Sequence, residues 1–232
     1  MISIIIPILN NKREYLQQSL NSIFGQTYND YEIIYVNNGS SNEDTLLFLK
    51  EIRDLKNIII INTKDKNNSE LLNLGINSST GEYITIFDGN DIMYPQKLKK
   101  QLDYIISNDV DLVGTFMKSY INEGNNIWRA TNNIISQPEI ITSDIVKKST
   151  TFVNYYTIFF KKSSVVKVGL FNETLSNGLP EDFELYIRML KNNMKIHNIQ
   201  DSLLYNRVLN TQMFKRNRNV HDFLEKLRCE LI

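Results

Sequence analysis

Gly81-Glu82-Tyr83-Ile84-Thr85-Ile86-Phe87-Asp88-Gly89-Asn90-Asp91 is the stretch whose reading decides the fold. Its first half is an apolar run of strand length, rich in aromatic and β-branched residues, and it follows Ser78-Ser79-Thr80. A run of that kind belongs to a strand buried on both faces, as in parallel sheets. Its second half gathers two carboxylates and a carboxamide. Ligands of open parallel sheets bind just beyond the carboxyl ends of the strands. Asp88 and Asp91 therefore mark a candidate site, because two such charges repel unless a cation or charged ligand lies between them.

The flanking sequence supports a parallel sheet. Residues 2–7 form a β-branched run that predicts a first strand ending at Pro7. Residues 10–24 carry Tyr15, Leu16, Leu20, Ile23 and Phe24 at helical spacing, with Gly25 as the stop. Strands are predicted over 31–36 and 58–61, and helices over 43–54 and 69–76. Tyr94-Pro95 opens a further helix with proline in its first turn, and 111–116 is a fifth strand. This alternation predicts an α/β domain with right-handed crossovers.

Beyond residue 116 the alternation stops. Residues 118–145 are polar and irregular and hold Trp128, while 152–160 reads as a strand. Ser163 suits the cap of a short helix ending at Gly169, and 196–199 reads as a last short strand. Glu181 and Asp182 fall in the first turn of a helix reaching Leu190, where carboxylates suit the helix dipole. A basic cluster of Lys215, Arg216 and Arg218 precedes a terminal helix from His221. Phe223, Leu224, Leu227 and Leu231 lie on one face of that helix, which predicts docking on the domain or, as the lesser reading, contact with a partner or membrane surface.

Composition narrows the classes. Lys and Arg total 26, as do Asp and Glu, so no net field draws the chain to nucleic acid. Cys229 is the single cysteine, which excludes an intrachain disulfide and fits a reducing compartment. No apolar run reaches the roughly 20 residues of a membrane span, and no signal peptide is evident, so a cytoplasmic location is expected. His197 and His221 have no neighbouring Cys or His at zinc spacing.

Ile2-Ser3-Ile4-Ile5-Ile6-Pro7, Ser22-Ile23-Phe24-Gly25-Gln26-Thr27-Tyr28, the segment from Tyr31 to Asn37-Asn38-Gly39-Ser40, the opening stretch, Gly169-Leu170-Phe171-Asn172-Glu173, and Glu181-Asp182 with Arg188 form an ordered set. In order and spacing that set resembles family 2 glycosyltransferases of the GT-A fold, over residues 2 to about 210. The resemblance implies a Rossmann-like, mostly parallel central sheet flanked by helices, with a smaller acceptor-side region. It implies one domain over 1–212, with a nucleotide-sugar half (1–116), an acceptor and catalytic-base half (117–212), and a C-terminal basic segment and helix (213–232). The implied activity is transfer of a sugar, with inversion, from a nucleoside diphosphate donor, most simply a UDP-sugar, to an acceptor hydroxyl of a glycan or glycoconjugate. Asp182 maps to the general base and Glu181 to its orienting neighbour. Pro7, Asn37, Asn38, Asn73, Asp88 and Gly89 map to the donor site. Asp88, Asn90 and Asp91 map to a Mn²⁺ or Mg²⁺ site, carboxylates being natural hard ligands.

The chain also departs from the family pattern. Asn37 and Asn90 stand where the family carries Asp, Leu72 where it often has Arg, and Leu209 where it often has His. Each departure weakens the donor side, which leaves a second reading open: a glycosyltransferase-like scaffold with weak or no catalysis. A nucleotidyltransferase is disfavoured, since Ile8-Leu9-Asn10-Asn11 follows the first strand in place of a Gly-rich phosphate loop.

Overall fold

The computed structural model describes residues 1–122, 128–130, 134, 137–149, 152–175, 179–209 and 218–229. The first half runs β1 (Ile2–Ile8), α1 (Arg13–Phe24), β2 (Tyr31–Asn38), α2 (Glu43–Ile52), β3 (Ile58–Thr63), α3 (Asn68–Ser78) and β4 (Tyr83–Ile86). Then come β5 (Ile92–Met93), α4 (Lys97–Ser107), β6 (Leu112–Asn122), β7 (Trp128–Ala130), β8 (Ile140–Ile141) and α5 (Ser143–Lys148). A 3₁₀ turn (Tyr155–Thr157) leads to β9 (Phe159–Lys161), α6 (Lys162–Lys167), α7 (Glu181–Lys191), β10 (Ile196–Val208) and α8 (Arg218–Cys229).

The strands form one sheet in the order β3-β2-β1-β4-β9-β6-β10-β5, with β7 on β6 and β8 on β10. β1 pairs in parallel with both β2 and β4, and β6 with β10. β9 is antiparallel to β4 and to β6, so every long strand points the same way and only short strands reverse. Side chains alternate across the pleat. Ile4, Ile6, Tyr35 and Phe87 enter one cluster with Leu16 and Leu20 of α1, Phe48 of α2 and Leu98 of α4. Ile5, Ile34, Ile84 and Ile86 enter the other with Leu72 of α3, Val165 of α6 and Leu185 of α7. Both sheet faces are covered, which is why these strands read as continuous apolar runs.

Helix starts and stops follow local chemistry. Asn67 and Glu70 form a reciprocal capping box at α3, with Asn67 Oδ1 accepting from Glu70 N at 2.9 Å and Glu70 Oε2 accepting from Asn67 N at 2.8 Å. Asn42 caps α2 by accepting from Thr45 N. Gly25 does end α1, with φ −81°, so no left-handed cap is needed there. Gly169 follows α6 with φ +92°, where a side chain would be strained.

Several expected elements differ. Pro95 lies ahead of α4, because Ile92–Met93 pairs with β10 and Tyr94 N–H extends that pairing to Leu203 O at 3.1 Å. The expected strand over 152–160 is broken by the 3₁₀ turn. There Asn154 donates to Thr115 O and Thr157 Oγ1 accepts from Thr115 N, so side chains replace the ladder beside β6. The short strand at 196–199 extends to Val208, its continuation hidden by irregular register between Ile199 and Leu204. Ser163 is not a cap; α6 starts after Lys161.

α8 places Phe223, Leu224 and Leu227 against the cluster containing Phe183, so the apolar face that would meet a partner or membrane is turned inward. Leu231, Lys215 and Arg216 lie outside the described residues, as does the side chain of Trp128. Among the described residues no helix is long and apolar enough to cross a membrane.

Gly75 lets α3 lie tight on β1. A Cβ there would sit 2.5 Å from the Ile5 side chain, which is fully buried in the sheet. Gly75→Ala is expected to cost about 1–3 kcal/mol in urea unfolding, because a buried β-branched neighbour has no room to retreat.

Candidate active site

β1 lies between β2 and β4, and the chain, having moved outward through β2 and β3, returns to the other side of β1 as β4. The sheet's winding therefore reverses at β1 and β4, and a cleft opens at their carboxyl ends. A cavity of about 290 Å³ lies there. Pro7, Ile8 and Leu9 at the end of β1, Asp88 after β4, Lys66 to Asn68 before α3, and Tyr155 and Tyr156 of the 3₁₀ turn line it.

The stretch that opened the sequence reading is here a tight turn. Asp88 Oδ1 accepts from Asn90 N at 2.8 Å and from Asn90 Nδ2 at 2.9 Å. Asn90 Oδ1 accepts in turn from Asn11 Nδ2 at 3.0 Å, so its carboxamide is bonded at both ends. Asp91 points the other way, towards β10. Its carboxylate accepts from Arg207 N at 2.8 Å and from Asn206 Nδ2 at 3.2 Å. Burial raises the carboxyl of Asp88 against the bonds from Asn90. Burial and the Asp88 charge raise that of Asp91 well above the usual range, against Arg207 and Asn206. Gly89 serves packing: a Cβ would meet Leu16 at 2.8 Å and Ile8 at 3.2 Å.

Arg207 supports this turn. Its side chain is 1% exposed, with Nε donating to Asn90 O at 2.8 Å and Nη2 donating to Gln18. The guanidinium lies 4.4 Å from the Tyr15 ring centre and 5.2 Å from that of Tyr120.

Beside the cavity, behind Tyr155, α7 begins at Glu181 and Asp182. Glu181 Oε1 accepts from Tyr155 Oη at 2.9 Å and also from Asn68 Nδ2, and Asn68 Nδ2 donates to Tyr155 Oη at 2.8 Å. Asp182 is pushed up to about 7 by burial and by the neighbouring Glu181 charge, against the backbone N–H groups of Phe183 and Asp182. Tyr156 also lines the cavity: burial raises its phenol, and so do the charges of Asp88, Asp91, Glu181 and Asp182. The two carboxylate pairs, far apart in sequence, thus act on one side chain.

Residues 3–169 match the family described as Glycosyl transferase family 2. The chain belongs to that family. An O-antigen biosynthesis glycosyltransferase of Escherichia coli, WbnJ, is 29% identical over 220 residues, covering 90% of this chain and 80% of that protein. An uncharacterised glycosyltransferase of Methanocaldococcus jannaschii is 29% identical over 216 residues, covering 90% and 71%. The structure of S. aureus TarS 1-349 in complex with UDP-GlcNAc superposes with a TM-score of 0.74 at 18% identity, over 99% of this chain and 66% of that one. That likeness establishes the GT-A-like fold, and the chain spans about two thirds of the TarS fragment's length.

For a family 2 glycosyltransferase the expected metal ligands are oddly disposed. Only Asp88 lines the cavity; Asn90 is tied to Asp88 and Asn11, and Asp91 is turned to β10. Among the described residues no three of His, Cys, Asp or Glu are grouped to hold an ion. Asp88, Asn90 and Asp91 therefore do not fit a metal site built by the protein alone, for a hard cation requires oxygens converging on one point.

The expected donor residues also divide. Pro7 and Asp88 line the cavity. Asn37 lies buried behind it, donating to Asn62 Oδ1 at 3.0 Å and accepting from Ser40 N at 3.1 Å. Asn38 lines the cavity, but its carboxamide both donates to Lys66 O at 2.9 Å and accepts from Lys66 N at 3.0 Å. A carboxylate could not make that first bond, which is a physical reason for Asn at 38. Leu72 is fully buried in the core.

Asn73 faces the 171–173 segment, donating to Phe171 O and Glu173 Oε1, each at 2.8 Å, and accepting from Phe171 N at 3.0 Å. Arg188 binds the same segment from α7, donating to the carbonyls of Val168 and Leu170 and to Glu184. The Gly169–Glu173 motif is thus held between α3 and α7 and joins α3 to the helix bearing Asp182.

Sequence reasoning missed Lys66, Asn68, Tyr155 and Tyr156. The two tyrosines were hidden inside an apparent strand, and only the polar neighbours Asn154 and Thr157 signal the turn that exposes them. Asn73→Ala is expected to cost about 1–3 kcal/mol in denaturant unfolding, because it strands the buried backbone groups of Phe171.

Proposed function

We propose that this chain is an inverting glycosyltransferase. It would move a sugar from a nucleoside diphosphate donor, a UDP-sugar in the simplest case, to a hydroxyl of a glycan or glycoconjugate acceptor. The observation that carries this reading is that Asp88, which lines the cavity at the ends of β1 and β4, and Asp182, whose carboxyl is raised to about 7, both lie close enough to the cavity-lining Tyr156 to raise its phenol. A base poised near the working pH combines enough ionised form with enough basicity. The UDP-GlcNAc complex of the TarS relative supports a nucleotide-sugar donor.

In this reading residues 1–116 supply the donor side and 117–212 the acceptor side. The acceptor hydroxyl gives its proton to Asp182 as its oxygen bonds to the anomeric carbon. The bond from that carbon to the phosphate oxygen breaks on the opposite face, and the electron pair leaves with the diphosphate. One displacement inverts the centre. Glu181, fixed by Tyr155 and Asn68, orients the acceptor. A Mg²⁺ or Mn²⁺ ion entering with the diphosphate would supply charge neutralisation and meet Asp88 as its one cavity-lining carboxylate among the described residues.

A thermal-shift screen of UDP-glucose, UDP-N-acetylglucosamine and GDP-mannose tests the donor class, because a ligand of the native state raises Tm. At least one is expected to raise it, and most of the shift should persist without Mn²⁺. No shift with any donor, with or without metal, would favour the scaffold reading.

Asp182→Asn is expected to abolish turnover while leaving the Kd for the donor within about threefold, as a group engaged in the chemical step should. In the wild type, kcat/KM should rise with pH through about 7 and level above it, since the base acts deprotonated. Folding raises this pKa, so the stabilisation by its proton is full below the ordinary carboxylate range and is lost as pH rises through about 7. Asp182→Asn should therefore melt above the wild type at about pH 8.

A further inference from the structure

The site has a charge problem that its carboxylates deepen. A diphosphate gains negative charge as it leaves, and leaving-group charge is commonly met by preorganised hydrogen-bond donors or a cation. Here the cavity region holds Asp88, with Glu181 and Asp182 close by, and the expected ligands do not converge on a metal.

The donors lining the cavity are nearly all occupied. Tyr155 Oη donates to Glu181, and Asn68 Nδ2 to Glu181 and Tyr155. Asn67 Nδ2 donates to Glu173 O at 2.9 Å, and Asn38 Nδ2 to Lys66 O. Lys66, on the rim, pairs with Glu70 at 2.7 Å. Tyr156 differs from the other neutral side-chain donors there: its ring lies 4.9 Å from that of Tyr155 and packs on the core, yet its hydroxyl makes no hydrogen bond with any described residue.

We propose that Tyr156 is a catalytic residue that donates a hydrogen bond from its hydroxyl to the departing diphosphate. This rests on the glycosyltransferase reading and adds a residue to it. The phenol keeps its proton throughout: the acceptor proton goes to Asp182, and the electrons of the broken bond stay on the phosphate oxygen that Tyr156 solvates. Burial and the surrounding carboxylates raise the phenol, so it remains a neutral donor where a second carboxylate would only repel the donor. The tilted contact with the Tyr155 ring and the packing on the core place the hydroxyl in advance, so the bond can strengthen as charge develops.

Tyr156→Phe removes the hydroxyl and keeps the ring. The test compares wild type and variant for hydrolysis of UDP-glucose and UDP-N-acetylglucosamine, for Kd of the same donors by calorimetry, and for Tm. The expected result is a fall in kcat of about 10²-fold, the effect of losing one such donor, with Kd within about threefold and Tm unchanged. A variant with kcat within about twofold of wild type overturns the role of Tyr156. So does a loss of kcat matched by an equal loss of donor affinity, which marks ground-state binding only. If Tm falls, kcat is compared well below the variant's Tm, where a value within about twofold of wild type again overturns the proposal. A wild type that binds and hydrolyses neither donor overturns the functional reading itself, a result distinct from an active wild type with an equally active variant.

Discussion

The turn after β4 depends on a contact made 116 residues later, where Arg207 and Asn206 of β10 grip Asp91 and the carbonyl of Asn90. A guanidinium that is 1% exposed needs its charge distributed, and here the rings of Tyr15 and Tyr120, Gln18 and the Asn90 carbonyl do that. With Asp91 drawn to β10 and Asn90 bonded to Asn11, Asp88 is left as the carboxylate that faces the cavity. The geometry of the turn beside the cavity thus follows from a buried cation beneath it.

A second scaffold positions the start of α7. Asn73 from α3 and Arg188 from α7 hold the Gly169–Glu173 loop between them, and Glu181 is bonded back to Asn68 at the start of α3. The helix bearing Asp182 is therefore referenced to α3, which lies tight on β1 through Gly75. Asn73, which the resemblance maps to the donor site, is here bonded to the 171–173 segment and so helps hold α3 and α7 together. Its chemistry is equally suited to both tasks, since a buried carboxamide bonds backbone as readily as a nucleotide.

The asparagines near the cavity also gain physical content. Asn38 makes two bonds with the backbone of Lys66 that a carboxylate could not both make, and Asn90 bridges Asp88 and Asn11. Each Asn closes the site with hydrogen bonds where an Asp would add charge.

The α/β class was legible from the β-branched runs at 2–7, 31–36 and 83–87, because strands buried on both faces admit little else. The sequence also pointed to the end of β4 as a candidate site, and the cavity lined by Asp88 lies at that end. Glu181 and Asp182 could be read at a helix start because acidic residues there satisfy exposed backbone N–H groups. Only the tertiary structure decided which of these carboxylates lines the cavity. Side-chain direction in a turn is set by partners distant in sequence: Arg207 for Asp91, Asn11 for Asn90, Thr115 for the turn that presents Tyr155 and Tyr156. Local periodicity carries no record of those partners, so the sequence marks where the site lies, and the packing of β10 and α7 determines what faces into it.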